Sequence, residues 1–234
     1  MNTRESAMDA CTSKLANNDR GNVSRTRREF FVKVVFVRHG ESTGNAGIPS
    51  FDLSKLELTA LGEAQAESTA LGWRQRPTLI ALSPYLRTHL TALPTIARFP
   101  DVPVEILPME EFTYLEPSRW KGTSRQARLP HIESFWGLAD PAFSDGPGAE
   151  SFQTLLDRVG RTLARFEALS SDALVYAFSH GQFMQAVRQS LLHPTWTAQQ
   201  KMAHFWAFNT QHPILNADQV EAAYESGHWM TSVV

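Results

Sequence analysis

Two apolar segments of this chain have the pattern of a buried strand, and each is followed by a histidine and a glycine. The first segment is residues 32–37, followed by Arg-His-Gly at 38–40. The second is residues 173–178, followed by Ser-His-Gly at 179–181 and a helical pattern. Open α/β sheets place ligand sites at the carboxyl ends of their strands. The two histidines are therefore predicted to converge on one point if their strands are neighbours.

Strand and helix patterns alternate along the rest of the chain. Short strands are predicted at 78–82 and 102–107, and helices at 60–73, 150–169 and 182–192. Strands that alternate with helices favour parallel pairing. We therefore predict an α/β fold, a three-layer α/β/α sandwich with a mostly parallel central sheet.

The predicted domain organisation is simple, because 234 residues suit one α/β core. Residues 1–30 are polar and carry few large apolar side chains, so we predict a flexible N-terminal tail before one domain over 31–234. Residues 108–148 contain several prolines and glycines without a clear long period. We expect them to form an irregular insertion over the site.

Composition argues against two classes of partner. The formal net charge is −2 at pH 7, without the basic excess of a typical nucleic-acid binder. No apolar stretch approaches the roughly 20 residues that a membrane helix needs. Charged residues also occupy the place of a signal peptide's apolar core. We expect a cytoplasmic protein with no nucleic-acid and no membrane partner, and the sequence predicts no oligomeric state.

His39 and His180 are candidates for covalent phosphoryl chemistry. A neutral imidazole is a competent nucleophile near pH 7, because its reference pKa is about 6.5. Arg38 adds a guanidinium, which matches phosphate oxygens in bidentate fashion. Arg87 could add a second, although on its own it is equally typical of the surface of an amphipathic helix.

A second interpretation makes Ser179 the nucleophile. Residues 177–181 resemble a variant of the Gly-x-Ser-x-Gly elbow, and Asp218 and His228 follow in the order of an α/β-hydrolase. Ala177 replaces the first glycine, however, and its Cβ would crowd the sharp turn. A metal site is also weakly supported, because the histidines lack the usual ligand spacing.

Four ordered motifs resemble those of the histidine phosphatase superfamily, also called the phosphoglycerate mutase-like family. The resemblance covers most of residues 33–192. The motifs are Arg-His-Gly-Glu-Ser at 38–42 with Asn45, Leu-Thr-x-x-Gly-x-x-Gln-Ala at 58–66, Ser-Pro-x-x-Arg-Thr-x-x-Thr-Ala at 83–92, and Ser-His-Gly at 179–181.

The resemblance implies a role for each matching residue. His39 would accept the phosphoryl group, while Arg38, Arg87 and His180 would bind and stabilise it. Asn45 would line the same pocket. Because these preorganised cations would meet the charge of the transition state, the resemblance implies no metal and no cofactor.

The proton donor is less well defined by the motifs. The family's acid is usually a glutamate or aspartate after the third strand, and here Glu110, Glu111 and Glu116 compete. Glu111 is the first choice because it lies soon after the strand that ends near Leu107. Glu110 is the second.

The resemblance implies a phosphatase that hydrolyses a small-molecule phosphomonoester. The alternative is phosphoryl transfer of the phosphoglycerate mutase type, but the Glu-Arg-x-Tyr-Gly segment of the glycolytic mutases is absent. A phosphate-binding module without turnover is a third possibility, against which the full set of expected cationic groups argues. The sequence does not identify the substrate.

Overall fold

A central β-sheet organises the protein, which we describe from a computed structural model covering residues 31–48, 52–123 and 125–231. The predicted tail, residues 1–30, lies outside the described residues. The strands are β1 (Phe31–Arg38), β2 (Leu79–Leu82), β3 (Val104–Ile106), β4 (Ala173–Ser179), β5 (Gln219–Glu225) and β6 (His228–Thr231).

Helices follow most of the strands in the chain. They are α1 (Ala60–Gly72), α2 (Leu86–Arg98), α3 (Arg125–Leu138), α4 (Phe152–Glu167), α5 (Gly181–Leu192) and α6 (Ala198–Gln211), with a short 3₁₀ turn at Leu53–Lys55. No helix in the described part of the chain combines the length and the apolar character needed to cross a membrane.

The strand order is β3-β2-β4-β1-β5-β6. The first four strands in this order are parallel, and β5 pairs antiparallel with both β1 and β6. Alternate residues of β1 face opposite layers, as the pleat requires. Val34 and Phe36 pack into the core that α4, α5 and α6 cover. Val35 and Val37 pack into a smaller core with Ala92 of α2. The predicted three-layer α/β sandwich is confirmed.

The two predicted histidine strands are neighbours. β1 pairs with β4 in parallel, with Arg38 opposite Ser179, and β4 pairs with β2, with Phe178 opposite Leu82. The carboxyl ends of three adjacent parallel strands therefore meet at one edge. The residues that follow these strands are brought together there by the sheet itself.

Helix α3 departs from the irregular structure predicted for residues 108–148. Pro130 lies inside this helix of 14 residues, and a proline normally argues against a helical interior because it has no N–H to donate. Tertiary packing outweighs that preference: Ile132, Phe135 and Trp136 are buried, and Trp136 stacks on Phe205 of α6 with ring centroids 5.1 Å apart. Within this segment, the prediction of irregular structure is wrong for 125–138.

Gly40 and Gly62 bring the loop after β1 against helix α1. A Cβ at Gly40 would lie 2.5 Å from the Gly62 carbonyl oxygen, and one at Gly62 would lie 2.0 Å from the Glu41 carbonyl oxygen. Real Cβ atoms do not approach backbone that closely. The contact that requires a glycine at position 40 is therefore the one with helix α1.

We therefore predict that Gly62→Ala destabilises the protein by about 1–3 kcal/mol, because backbone on both sides must move to admit the methyl group. Gly72→Ala is the matched control, since it lies in the same helix and a Cβ there meets nothing within 4 Å. Chemical denaturation compares the two variants. Equal stabilities would contradict the prediction.

Candidate active site

His39 and His180 lie at the meeting point of the strand ends. His39 directly follows β1, and His180 is the N-cap residue of α5 after β4. Their ring centroids are 5.1 Å apart, and their exposed fractions are 2% and 0%. The topology thus turns two distant motifs into one pair of buried imidazoles.

The hydrogen bond of His39 defines which nitrogen can react. Its Nδ1 lies 2.7 Å from the Gly40 carbonyl oxygen, which can only accept a hydrogen bond. Nδ1 therefore carries the proton and donates it to that oxygen. In the neutral ring, Nε2 then keeps its lone pair and is the nucleophilic atom.

His180 is oriented by Ser83, which follows β2. The Ser83 Oγ lies 2.8 Å from His180 Nε2, and the Tyr85 ring packs edge-on against the imidazole with centroids 5.3 Å apart. His180 Nδ1 is buried without a hydrogen-bond partner. That nitrogen is the one that remains for a ligand.

Two arginines flank the histidines, and each is anchored through one nitrogen. Arg38 Nη1 donates to the Ile214 carbonyl at 2.6 Å, and Arg87 Nη1 donates to the Leu53 carbonyl at 2.7 Å. Arg38 Nε is buried without a partner. The anchors fix both guanidinium groups while leaving other N–H groups for an anion.

Burial and the charges of this site keep the imidazoles neutral. Burial, and next the charge of Arg87, holds the pKa of His39 well below its usual 6.5. Burial and then Arg87 do the same to the pKa of His180. Burial also lowers the pKa of Arg38 and Arg87, while the Glu111 carboxylate raises it. A neutral nucleophile thus lies beside two positive charges.

The buried histidines predict a pH-dependent stability. Below pH 6.5 the unfolded chain binds protons that folded His39 and His180 do not bind. Neither histidine therefore lowers the free energy of unfolding above pH 6.5. Below pH 6.5, each lowers it further as the pH falls. The slope approaches about 1.4 kcal/mol per pH unit for each histidine.

Chemical denaturation in phosphate-free buffer at about pH 7.5 and about pH 5.5 measures this effect. We expect His39→Gln to reduce the acid-induced loss of stability by about 1 kcal/mol. The exposed His228 provides the control variant, His228→Gln, which should behave as the wild type. An unchanged loss in His39→Gln would contradict the prediction.

The three candidate acids have different surroundings. Glu111 Oε1 accepts from the Gln182 N–H in the first turn of α5 at 3.0 Å, and its charge acts on both site arginines. The Glu110 carboxylate lies 3.5 Å from Arg158, and Glu116 accepts from Arg119 at 2.7 Å. Of the three, Glu111 is the one that contacts the first turn of α5, just after His180, and whose charge acts on Arg38 and Arg87.

Asn45 belongs to the loop that supports His39. Its Oδ1 accepts from the Ser42 N–H at 3.1 Å, from Ser42 Oγ at 2.9 Å and from Asn216 Nδ2 at 3.2 Å. Asn216 Nδ2 also lies 3.0 Å from the His39 carbonyl oxygen. Asn45 thus uses its oxygen to hold the loop, and its amide nitrogen is the end left for a ligand.

The motif at 58–66 supports the same loop from helix α1. Gln65 Oε1 accepts from the Glu41 N–H at 2.8 Å, and Thr59 Oγ1 donates to Glu41 Oε1 at 2.7 Å. From α2, Thr91 Oγ1 accepts from the Gly40 N–H at 3.0 Å. These motif residues fix the backbone that carries His39.

Residues 34–226 match the family described as the histidine phosphatase superfamily, branch 1. The chain belongs to this family. The resemblance of the four motifs is thereby confirmed, over a longer part of the chain than the motifs span. A comparison with curated proteins found no match.

Solved structures of similar fold cover most of this histidine phosphatase. A mycobacterial glucosyl-3-phosphoglycerate phosphatase in complex with VO3 is 26% identical, with a TM-score of 0.65 over 86% of this chain and 98% of that one. A phosphoserine phosphatase from Entamoeba histolytica, in complex with 3-phosphoglyceric acid, is 19% identical, with a TM-score of 0.68 over 86% and 95%. The alpha-ribazole phosphatase from Shigella flexneri is 18% identical, with a TM-score of 0.67 over 87% and 96%.

The residues of the serine-hydrolase interpretation do not come together in this histidine phosphatase. Ser179 Oγ donates to the Met109 carbonyl at 2.8 Å. Asp218 Oδ2 accepts from the Leu215 N–H, and the exposed His228 lies on the edge strand β6. Each of the three residues has its own surroundings.

Three residues of the histidine phosphatase site were not singled out from the sequence. The sequence did contain a signal for Ser83, because this residue opens the motif at 83–92. Tyr85 lies in the same motif, and Arg87 stacks 5.0 Å from its ring centroid. Asn216 carried no signal, because it lies in a loop before β5, a strand that the sequence patterns did not predict.

Proposed function

We propose that this histidine phosphatase hydrolyses phosphomonoesters through a phosphohistidine on His39. The observation that carries the proposal is the arrangement of His39: a buried imidazole with its Nδ1 proton committed to the Gly40 carbonyl, beside His180 and two arginines. Such an imidazole presents a lone pair to whatever anion the arginines hold.

In the first step, His39 Nε2 attacks phosphorus and the bond from phosphorus to the ester oxygen breaks. Arg38, Arg87 and the free Nδ1 of His180 surround the charged phosphoryl oxygens. Glu111 gives its proton to the departing oxygen, so the alcohol leaves neutral. Phosphohistidine and a glutamate carboxylate remain.

In the second step, the Glu111 carboxylate removes a proton from water, and the water oxygen attacks phosphorus. The bond between phosphorus and Nε2 breaks, and the electron pair returns to the imidazole. Inorganic phosphate leaves, and both His39 and Glu111 regain their starting states. The cycle uses side chains and water only, and we propose that it needs no metal and no cofactor.

A small-molecule phosphate ester is the proposed substrate class. The structural neighbours support hydrolysis over mutase chemistry, because they are described as an alpha-ribazole phosphatase, a phosphoserine phosphatase and a glucosyl-3-phosphoglycerate phosphatase. Phosphoryl transfer between positions of a glycerate remains the second candidate, since the neighbour from Entamoeba histolytica was solved with 3-phosphoglyceric acid.

The proposal is tested by hydrolysis of 4-nitrophenyl phosphate and a panel of phosphometabolites in the presence of a chelator. We expect release of inorganic phosphate and, after rapid quenching, a phosphoenzyme that is labile to acid and stable to alkali. Transfer between glycerate positions with little phosphate release would favour the mutase. Phosphate binding without turnover of any ester would favour the binding module.

A further inference from the structure

The loop that carries Glu111 is held through its backbone carbonyls. This loop, residues 108–113, follows β3. Arg158 Nη1, from helix α4, donates to the Pro108 carbonyl at 3.1 Å and to the Glu110 carbonyl at 2.8 Å. Ser179 Oγ donates to the carbonyl between them, that of Met109, at 2.8 Å. Side chains thus bond three successive carbonyls directly before Glu111.

Arg158 is itself fixed by a bidentate ion pair with Glu150. Arg158 Nε lies 2.5 Å from Glu150 Oε1, and Nη2 lies 2.8 Å from Oε2. The guanidinium packs over the Phe183 ring, 5.1 Å from its centroid, and Arg158 is only 5% exposed. The Glu150 N–H donates to the Thr113 carbonyl at 2.7 Å, which closes the far end of the loop.

A buried ion pair of this kind is a costly way to gain stability. Removing two charges from water carries a desolvation penalty that their attraction often fails to exceed, and apolar residues of similar size frequently do as well. The pair instead fixes the geometry of a rigid fork, whose Nη1 donates to the carbonyls of Pro108 and Glu110. The side chain whose position depends on this geometry is that of the next residue, Glu111.

Glu111 reaches the site at the end of this clamped backbone. Its Oε1 accepts from the Gln182 N–H at 3.0 Å and from its neighbour's N–H, that of Phe112, at 3.1 Å. The carboxylate therefore depends on the backbone path of 108–111 for its position. A displacement of about 1 Å is enough to impair proton transfer.

We propose that Arg158, held by Glu150, is a positioning residue that places the Glu111 carboxylate for proton donation. This inference rests on the function proposed above. Arg158 acts on Glu111 through the carbonyls of Pro108 and Glu110, so its loss should slow both proton transfers of Glu111, to the departing alcohol and from the attacking water, while leaving attack by His39 intact.

Leaving-group dependence separates positioning from a merely structural role. An acidic leaving group such as 4-nitrophenolate departs without a proton, whereas the alkoxide of phosphoserine or glycerol phosphate requires one. The measurement is kcat/KM, which reports the steps up to formation of the phosphohistidine and not its later hydrolysis, for 4-nitrophenyl phosphate and for the alkyl phosphate that the wild type hydrolyses best. Glu111→Gln shows how hydrolysis of the two esters changes when the acid itself is missing.

We expect Arg158→Met to reduce kcat/KM by about 10- to 100-fold on the alkyl ester and by less than about 3-fold on the aryl ester. Arg158→Lys keeps the charge but not the fork, and it should show the same selective loss in a milder form. The matched control is Arg165→Met. Arg165 lies on the same helix with the same bidentate geometry to Glu105, at 2.9 and 2.7 Å, but that pair holds β3.

A selective loss in both Arg158 variants, absent from Arg165→Met, supports the positioning role. Equal losses on the two esters, or a selective loss in Arg165→Met as well, would overturn the positioning role. The proposed function would still hold in that case, because the wild type hydrolyses the esters. A wild type that hydrolyses neither ester would overturn the proposed function, and this inference with it.

Discussion

Replacing His39 by alanine is expected to abolish phosphomonoester hydrolysis, with kcat lower by at least about 10⁴-fold. The variant removes the Nε2 lone pair that the Gly40 hydrogen bond leaves free. Water would then have to attack a dianionic ester directly. Substrate binding should persist, because Arg38 and Arg87 keep their carbonyl anchors.

The measurement pairs steady-state hydrolysis of 4-nitrophenyl phosphate with trapping of the phosphoenzyme. His39→Ala should give neither turnover nor trapped phosphate, while inorganic phosphate still protects it against thermal unfolding. His228→Ala is the control, since this histidine is exposed on β6. A phosphoenzyme that persists in His39→Ala would assign the nucleophile to another residue.

Arg87→Met should reduce kcat/KM by about 10²- to 10³-fold, the loss usual for one preorganised group that meets transition-state charge. Arg87 is 5% exposed, and its fork bonds the Leu53 carbonyl through one nitrogen, which leaves its other N–H groups for an anion. Arg87→Lys should recover little of this loss, because an ammonium cannot reproduce the planar fork.

Arg98 offers the comparison on the same helix. Its guanidinium also donates to backbone carbonyls, those of Ala70, Leu71 and Trp73 at the end of α1. Arg98→Met should therefore lower the stability of the protein with kcat/KM nearly unchanged. Similar kcat/KM values for the Arg87 and Arg98 variants would show that Arg87 serves the fold and not the phosphoryl group.

Sequence patterns predicted the parts of this protein that depend on local order. The strands at 32–37 and 173–178, the helix that begins at residue 60 and the convergence of the two histidines follow from periodicity and from the rule that parallel strands share an edge. The structure confirms that this helix begins at Ala60, where Thr59 caps it by accepting from the Gly62 N–H. Each of these features involves residues close in sequence or a general rule of sheets.

The features that sequence patterns missed depend on contacts between distant segments. Helix α3 owes its existence to aromatic packing that outweighs Pro130, and Asn216 reaches His39 from 177 positions away. Arg158 contacts Pro108 across 50 positions. The choice among the glutamates needed the same information, because only the folded chain shows which carboxylates already have an arginine partner.

The glycine pair has a consequence for recombination between relatives. Gly40 and Gly62 approach so closely that each leaves no room for a methyl group on the other's segment. The backbones of the loop bearing the nucleophile and of helix α1 are therefore fitted to each other. A chimera with a crossover between residues 40 and 62 would join two halves whose backbones were never fitted to each other, whereas a crossover after α1 would keep that fit.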